Sequence, residues 1–251
     1  MASYVHRQEG LEELVCVPFE MLKLQPMRKF DLLVVDEAQD VVTYDDLSVL
    51  DSRLNGGLED GRWHMFMDSN NQRGLVGQFD EEAIEYLDNL RPARYRLTDN
   101  CRNTRQIVLT TEAMTGAELG DSTAGNGPEV EVFDAADMSA AAHAAGLYLA
   151  QLVDSGIDPG DITLLSPVEF RDSTYAHLPA RWRFMVDPLD LTTGKRQRSR
   201  LGFATIPDFK GLETRFAIVA DVGPPDRHDE SSNMYVGMTR ARVGLCVIRV
   251  W

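Results

Sequence analysis

Leu32-Leu33-Val34-Val35-Asp36-Glu37-Ala38-Gln39-Asp40 is the stretch from which the rest of the chain can be read. Four consecutive apolar residues, with no polar alternation, suit a strand covered on both faces, as in a parallel sheet. The strand delivers two carboxylates at its carboxyl end, where ligands of open α/β sheets are met. Asp36 in that position can hold Mg2+, a hard cation that takes oxygen ligands, and Glu37 can polarise a water as general base. An acidic turn capping the next helix is the plainer use of an Asp-Glu pair, and residue types alone leave both open.

Working outward, the pattern predicts a helix at Phe19 to Leu24 and another from Asp45 to Leu54. A second apolar strand runs from His64 to Met67 and ends at Asp68, and a third short strand near Arg94 to Leu97 leads to Asn100. A helix follows from Thr104 to Met114. Gly116 to Pro128, with Gly120, Gly125 and Gly127, reads as a loop or linker. Beyond it come a strand at Val130 to Phe133 and an Ala-rich helix from Met138 to Asp154. Strands follow at Ile162 to Leu165, Phe184 to Val186, Phe203 to Ile206, Phe216 to Val222 and Leu245 to Val250, with a helix from Ser231 to Arg242 between the last two. Apolar strands alternating with helices predict an α/β fold with one parallel sheet in each half. The expected division is residues 1–118, a linker at 119–128, and residues 129–251.

Composition narrows the partners. The net charge is −15 and the pI about 4.7, so bulk electrostatic coating of nucleic acid is excluded. Nucleic-acid contact has to be local, and the densest basic run is Lys195, Arg196, Arg198 and Arg200, with Arg181 and Arg183 nearby. A solvated basic loop is the plainer account of such a run. Apolar runs such as Leu32 to Val35 and Phe216 to Ala220 are too short to cross a bilayer, and no signal-peptide pattern opens the chain. Three cysteines, Cys16, Cys101 and Cys246, lack CxxC spacing and read as reduced thiols of a cytoplasmic protein. His64 and His177 have no metal-ligand spacing.

The string Asp36-Glu37-Ala38-Gln39-Asp40 resembles motif II, the Walker B element, of UvrD/Rep-like superfamily 1 DNA helicases, and four more strings follow in that family's order. Met67-Asp68-Ser69-Asn70-Asn71-Gln72 resembles motif III, which implies that Gln72 senses the γ-phosphate. Leu97-Thr98-Asp99-Asn100-Cys101-Arg102-Asn103 resembles motif IV, which implies that Arg102 approaches that phosphate. Thr205-Ile206-Pro207-Asp208-Phe209-Lys210-Gly211-Leu212-Glu213 resembles motif V. It implies nucleotide contact by Gly211 and, at the ribose, Glu213, with Thr205 and Lys210 toward nucleic acid. Tyr235-Val236-Gly237-Met238-Thr239-Arg240-Ala241-Arg242 resembles motif VI, which implies a second γ-phosphate contact from Arg240. Each string has a plainer account alone, such as a helix cap, a surface arginine, a tight turn or a basic helix face. Their common order is what carries the resemblance. It implies two RecA-like units, ATP and Mg2+ as cofactors, single-stranded DNA as partner, and hydrolysis coupled to closure of the halves.

The sequence also departs from the family. It contains no GxxxxGK[ST] string, so the backbone cradle and lysine of the P-loop are expected from a missing N-terminal segment that would also complete the first sheet. The chain by itself is then expected to hydrolyse ATP barely or not at all. Phe79 is the nearest aromatic after Gln72 for stacking on bases, and Pro207 stands where the family commonly has histidine. The short interval from Arg102 to Thr205 and the wording of motif IV resemble helicase modules attached to NERD-type nuclease-related domains. A P-loop-less remnant acting as a protein-interaction or regulatory module is the alternative.

Overall fold

The computed structural model describes residues 14–68, 80–189, 199–223 and 228–250, which form two compact units. Among the described residues, one is drawn from residues 14–68 and 80–93, the other from residues 94–250. Residues 94–118, grouped by the sequence pattern with the first half, therefore pack in the second.

The first unit contains α1 (Phe19–Leu24), β1 (Leu33–Val35), α2 (Tyr44–Arg53), the single turn α3 (Gly57–Asp60), β2 (Trp63–Met65) and α4 (Glu81–Asn89). Strands β1 and β2 pair in parallel, with Val34 opposite His64. Thr43 caps α2 by accepting from the Asp46 amide, and Asp80 caps α4 by accepting from Ala83. The Asp80 carboxylate also accepts from the Tyr44 amide, joining the starts of both helices. Leu47, Leu50, Leu54, Leu58, Ala83 and Leu87 form the core. Buried Arg53 donates to the carbonyl oxygens of Leu22, Gln25 and Pro26 at 2.9, 3.0 and 2.7 Å, capping the C-terminal end of α1. The expectation of a strand covered on both faces fails for β1. Val34 is 59% exposed, so the described residues cover one face only.

The second unit begins with β3 (Asp99–Asn100), α5 (Arg105–Thr115) and β4 (Asp121–Ser122), and β3 pairs with β4 in parallel. The strand expected at Arg94 to Leu97 is absent. Tyr95 and Leu97 are exposed, so its apolar alternation has no core to face. Then come β5 (Glu131–Ala135), α6 (Met138–Asp154), β6 (Ile162–Ser166), the short α7 (Ala180–Arg183), β7 (Val186–Pro188), β8 (Leu201–Thr205), β9 (Thr214–Val222), α8 (His228–Thr239) and β10 (Ala241–Val250). Six strands make one parallel sheet in the order β5-β10-β9-β6-β8-β7.

Both faces of this sheet are covered, as the apolar runs predict. Ile162, Leu164, Ile218, Cys246 and Ile248 pack with Ala141, Ala145 and Leu149 of α6 on one face. Leu165, Val219, Leu245 and Val247 pack with Ile107 of α5 and with Met234, Tyr235 and Met238 of α8 on the other. Asp137 caps α6 by accepting from the Ala140 amide at 2.8 Å. The helix expected through Arg242 stops at Thr239, because Ala241 joins the sheet opposite Thr214. Arg242 is thereby a strand residue, not part of a helix face.

Candidate functional site

The candidate residues fall on both units. In the first, Asp36 follows β1 directly and is exposed. Glu37 adopts φ 51°, a left-handed conformation that is uncommon for a residue with a Cβ and costs on the order of 1 kcal/mol. Local bonds hold it there. The Glu37 amide donates to Asp36 Oδ1 at 3.1 Å, and the Ala38 amide donates to the Phe66 carbonyl at 2.8 Å. Gln39, buried beneath the turn, donates through Nε2 to Glu37 Oε2 at 2.5 Å and accepts at Oε1 from the Asp68 amide at 3.1 Å. One amide side chain thus orients the Glu37 carboxylate against the end of β2. Asp36 supplies one carboxylate, and no group of three or more His, Cys, Asp or Glu among the described residues could hold a metal by itself. A lone carboxylate fits Mg2+ only when phosphate and water complete the shell. Gln72 and Phe79 lie outside the described residues.

In the second unit, three strings distant in sequence meet. Asn100 Oδ1 accepts from the amides of Arg102 and Asn103 at 3.0 and 2.9 Å, closing the loop that carries Arg102. Buried Asn103 donates through Nδ2 to the carbonyls of Thr239 and Ala241 at 2.9 and 2.6 Å. The Thr104 amide donates to the Arg242 carbonyl at 3.2 Å, and its hydroxyl to that of Val243 at 3.3 Å. Gly127 lies so close to Thr104 and to the Val243 carbonyl that a Cβ there would approach them to 2.5 and 2.7 Å. The Arg102 loop is therefore fastened to the α8–β10 corner.

At that corner Glu213 pairs with two guanidiniums, Arg242 Nη1 at 2.9 Å and Arg102 Nε at 3.6 Å, all three about half exposed. Arg215 pairs with Asp161 at 2.6 Å. Arg102, Arg215 and Arg242 line an open cleft of about 330 Å3, together with Cys101 and Thr104. Arg240 is placed otherwise. It is 2% exposed and donates to the carbonyls of Val236 and Leu212 and to the Thr239 hydroxyl. It braces the corner from within, and the exposed guanidinium of that string is Arg242.

The edge of the sheet also differs from expectation. Glu213 and Arg240 immediately precede β9 and β10, so this cluster lies at the N-terminal edge of those strands. Thr205 ends β8 at the opposite edge, where its hydroxyl donates to Asp208 Oδ2 at 2.6 Å. The turn after it is anchored by buried Phe209 and reverses at Gly211, whose φ of 76° favours glycine. Lys210 is half-buried there. Asp221, at the end of β9 with φ 60°, accepts from Ser166 Oγ and from the amide and hydroxyl of Thr174. Of the basic run, Arg200 is described: it makes a two-point pair with Asp187 that holds this carboxyl below its usual range.

Sequence reasoning missed Gln39, Asn103 and Arg215. An Asn or Gln one or two residues from a motif arginine or carboxylate is a usable signal, but its partners lie far along the chain.

No protein-family model matches the chain. No curated protein matches it either. Among solved structures, the C-terminal domain of a possible DNA helicase from Lactobacillus plantarum WCFS1 is similar, at 21% identity and a TM-score of 0.47, covering 60% of this chain and 88% of that one. Among the described residues no helix is long and apolar enough to cross a membrane.

Proposed function

We propose that this chain is the motif II to motif VI portion of an ATP-driven motor of the UvrD/Rep-like superfamily 1 type, acting on single-stranded DNA. Two RecA-like units is the corresponding reading of its parallel sheets. One observation carries the proposal: Arg102, Glu213 and Arg242, from three strings that follow the family's order, converge at a single corner of the second unit. Chance matches scattered over a globular fold would have no reason to meet.

The chemistry assigned is phosphoryl transfer to water, which depends on positioning and charge neutralisation. Asp36 would hold Mg2+, which when bound neutralises the phosphate oxygens. Glu37, aimed by Gln39, would take the proton of the attacking water. Arg102 offers a guanidinium to the developing charge, and Arg240 acts through the corner it braces. Gln72 would sense the γ-phosphate, Gly211 and Glu213 would line the nucleotide, and Thr205, Lys210 and Phe79 would contact DNA. On this reading the phosphate cradle would come from a P-loop segment outside these residues.

The test is Glu37→Gln in the protein supplied with that segment, with DNA-stimulated ATP turnover and nucleotide binding measured together. Turnover should fall at least 100-fold, the scale of a general base, while binding persists. Near-normal turnover would refute the general-base assignment.

A further inference from the structure

We infer that Glu213 is a built-in competitor for a polyphosphate site formed by Arg102, Arg215 and Arg242. The inference rests on the reading above that these arginines serve a nucleotide, and it gives Glu213 a role different from sugar contact.

The geometry is specific. Glu213 faces Arg242 through Oε1 and Arg102 through Oε2, so each carboxylate oxygen faces a different guanidinium. Carboxylate and phosphate use the same guanidinium fork, so a phosphate cannot engage both arginines fully while Glu213 holds them. The third cation, Arg215, pairs with Asp161 rather than with Glu213, so the two partners can be lost separately. All the pairs are about half exposed, which makes them weak enough to exchange. A cleft of about 330 Å3 suits a small polyanion. Asn103 and Thr104 fix the backbone beneath Arg102 and Arg242, so their spacing survives when Glu213 swings away.

The consequence runs against intuition. Removing the Glu213 charge should strengthen phosphate binding, whereas a residue that contacts only the ribose would leave a sugar-free ligand unaffected. Inorganic tripolyphosphate separates these cases. The chain, Glu213→Gln, Arg242→Ala and the double variant are titrated with it by calorimetry at fixed ionic strength, with an oligothymidylate as a parallel ligand. Glu118→Gln serves as the charge control, since Glu118 pairs with Arg96 on the exposed surface.

Glu213→Gln should tighten tripolyphosphate about three- to tenfold, the worth of two exposed ion pairs. Arg242→Ala should weaken it and cancel the gain in the double variant, and Glu118→Gln should leave it unchanged. The inference is overturned if Glu213→Gln binds no more tightly than the parent, or if Glu118→Gln gives the same gain. It is also overturned if the gain appears with the oligonucleotide alone, which would make the site one for a nucleic-acid backbone. No ATP turnover enters the readout, so failure here is distinct from failure of the Glu37 test.

Discussion

Replacing Asn103 by alanine tests whether the arginine loop is held by the α8–β10 corner. The side chain is 2% exposed, and its amide donates to two carbonyls at 2.9 and 2.6 Å. The residues carrying those carbonyls, Thr239 and Ala241, are buried, so water cannot replace the donor without opening the corner. A neutral hydrogen bond contributes about 1 kcal/mol net, and leaving a buried acceptor unsatisfied costs about 1–3 kcal/mol. Two such acceptors put the loss at about 2–6 kcal/mol. At about 3 °C per kcal/mol for a chain of this size, the midpoint should fall by roughly 6–18 °C. Urea and thermal unfolding followed by circular dichroism give both numbers. Asn103→Asp keeps the shape but turns an acceptor toward two acceptors, and it should cost at least as much as alanine. A loss below about 0.5 kcal/mol for alanine, or an aspartate milder than alanine, would refute the reasoning.

Arg53→Met should free the end of α1, since it removes the donors to Leu22, Gln25 and Pro26, at about 2–3 kcal/mol. Faster tryptic cleavage at Lys23 and Arg28 is the readout, with Arg53→Lys in between; unchanged cleavage would count against the clamp. Burial, aided by the charge of Glu131, pushes the Cys246 thiol up, and burial does the same to Tyr148 and Tyr175. A raised native pKa contributes stability that is complete below the unfolded value and is lost as pH rises above it. Unfolding free energy should therefore drop between pH 7.5 and 9.5 by about 1 kcal/mol for the thiol alone, and Cys246→Ala should flatten that slope. Equal slopes in parent and variant would exclude the thiol as their cause.

Much of the second sheet is legible because its signals are local. Asp137 and the alanines after it mark α6, which spans Met138–Asp154 as expected. The runs around Ile162, Phe216 and Leu245 identify strands because both sheet faces are buried. Misreadings arise where a distant partner decides. Thr239-Arg240-Ala241-Arg242 continues a helical pattern, yet Asn103, more than 130 residues earlier, takes the carbonyls of Thr239 and Ala241. Tyr95 and Leu97 look like a strand because alternation does not say whether anything lies opposite. Chain order pointed to Arg102, Glu213 and Arg240, whereas the arginine of the TRAR string that stays in solvent is Arg242. That depends on the carbonyls surrounding Arg240.

The order β5-β10-β9-β6-β8-β7 also has a temporal consequence. Among the described residues, strand β5 bonds within its sheet only to β10, and Glu131 waits for Cys246 some 115 positions later. At ribosomal rates of about 5–20 residues per second, that interval is on the order of ten seconds. For that time a strand bearing Val132 and Phe133 is on the nascent polypeptide with both backbone edges unclaimed. Its neighbours Glu131 and Asp134 carry charge, which discourages pairing with a stranger. When β10 arrives, Asp134 is also the carboxylate that receives Arg249 in a two-point contact at 2.7 and 2.9 Å. The same side chain that guards the unfinished edge thus secures it once the partner strand is made.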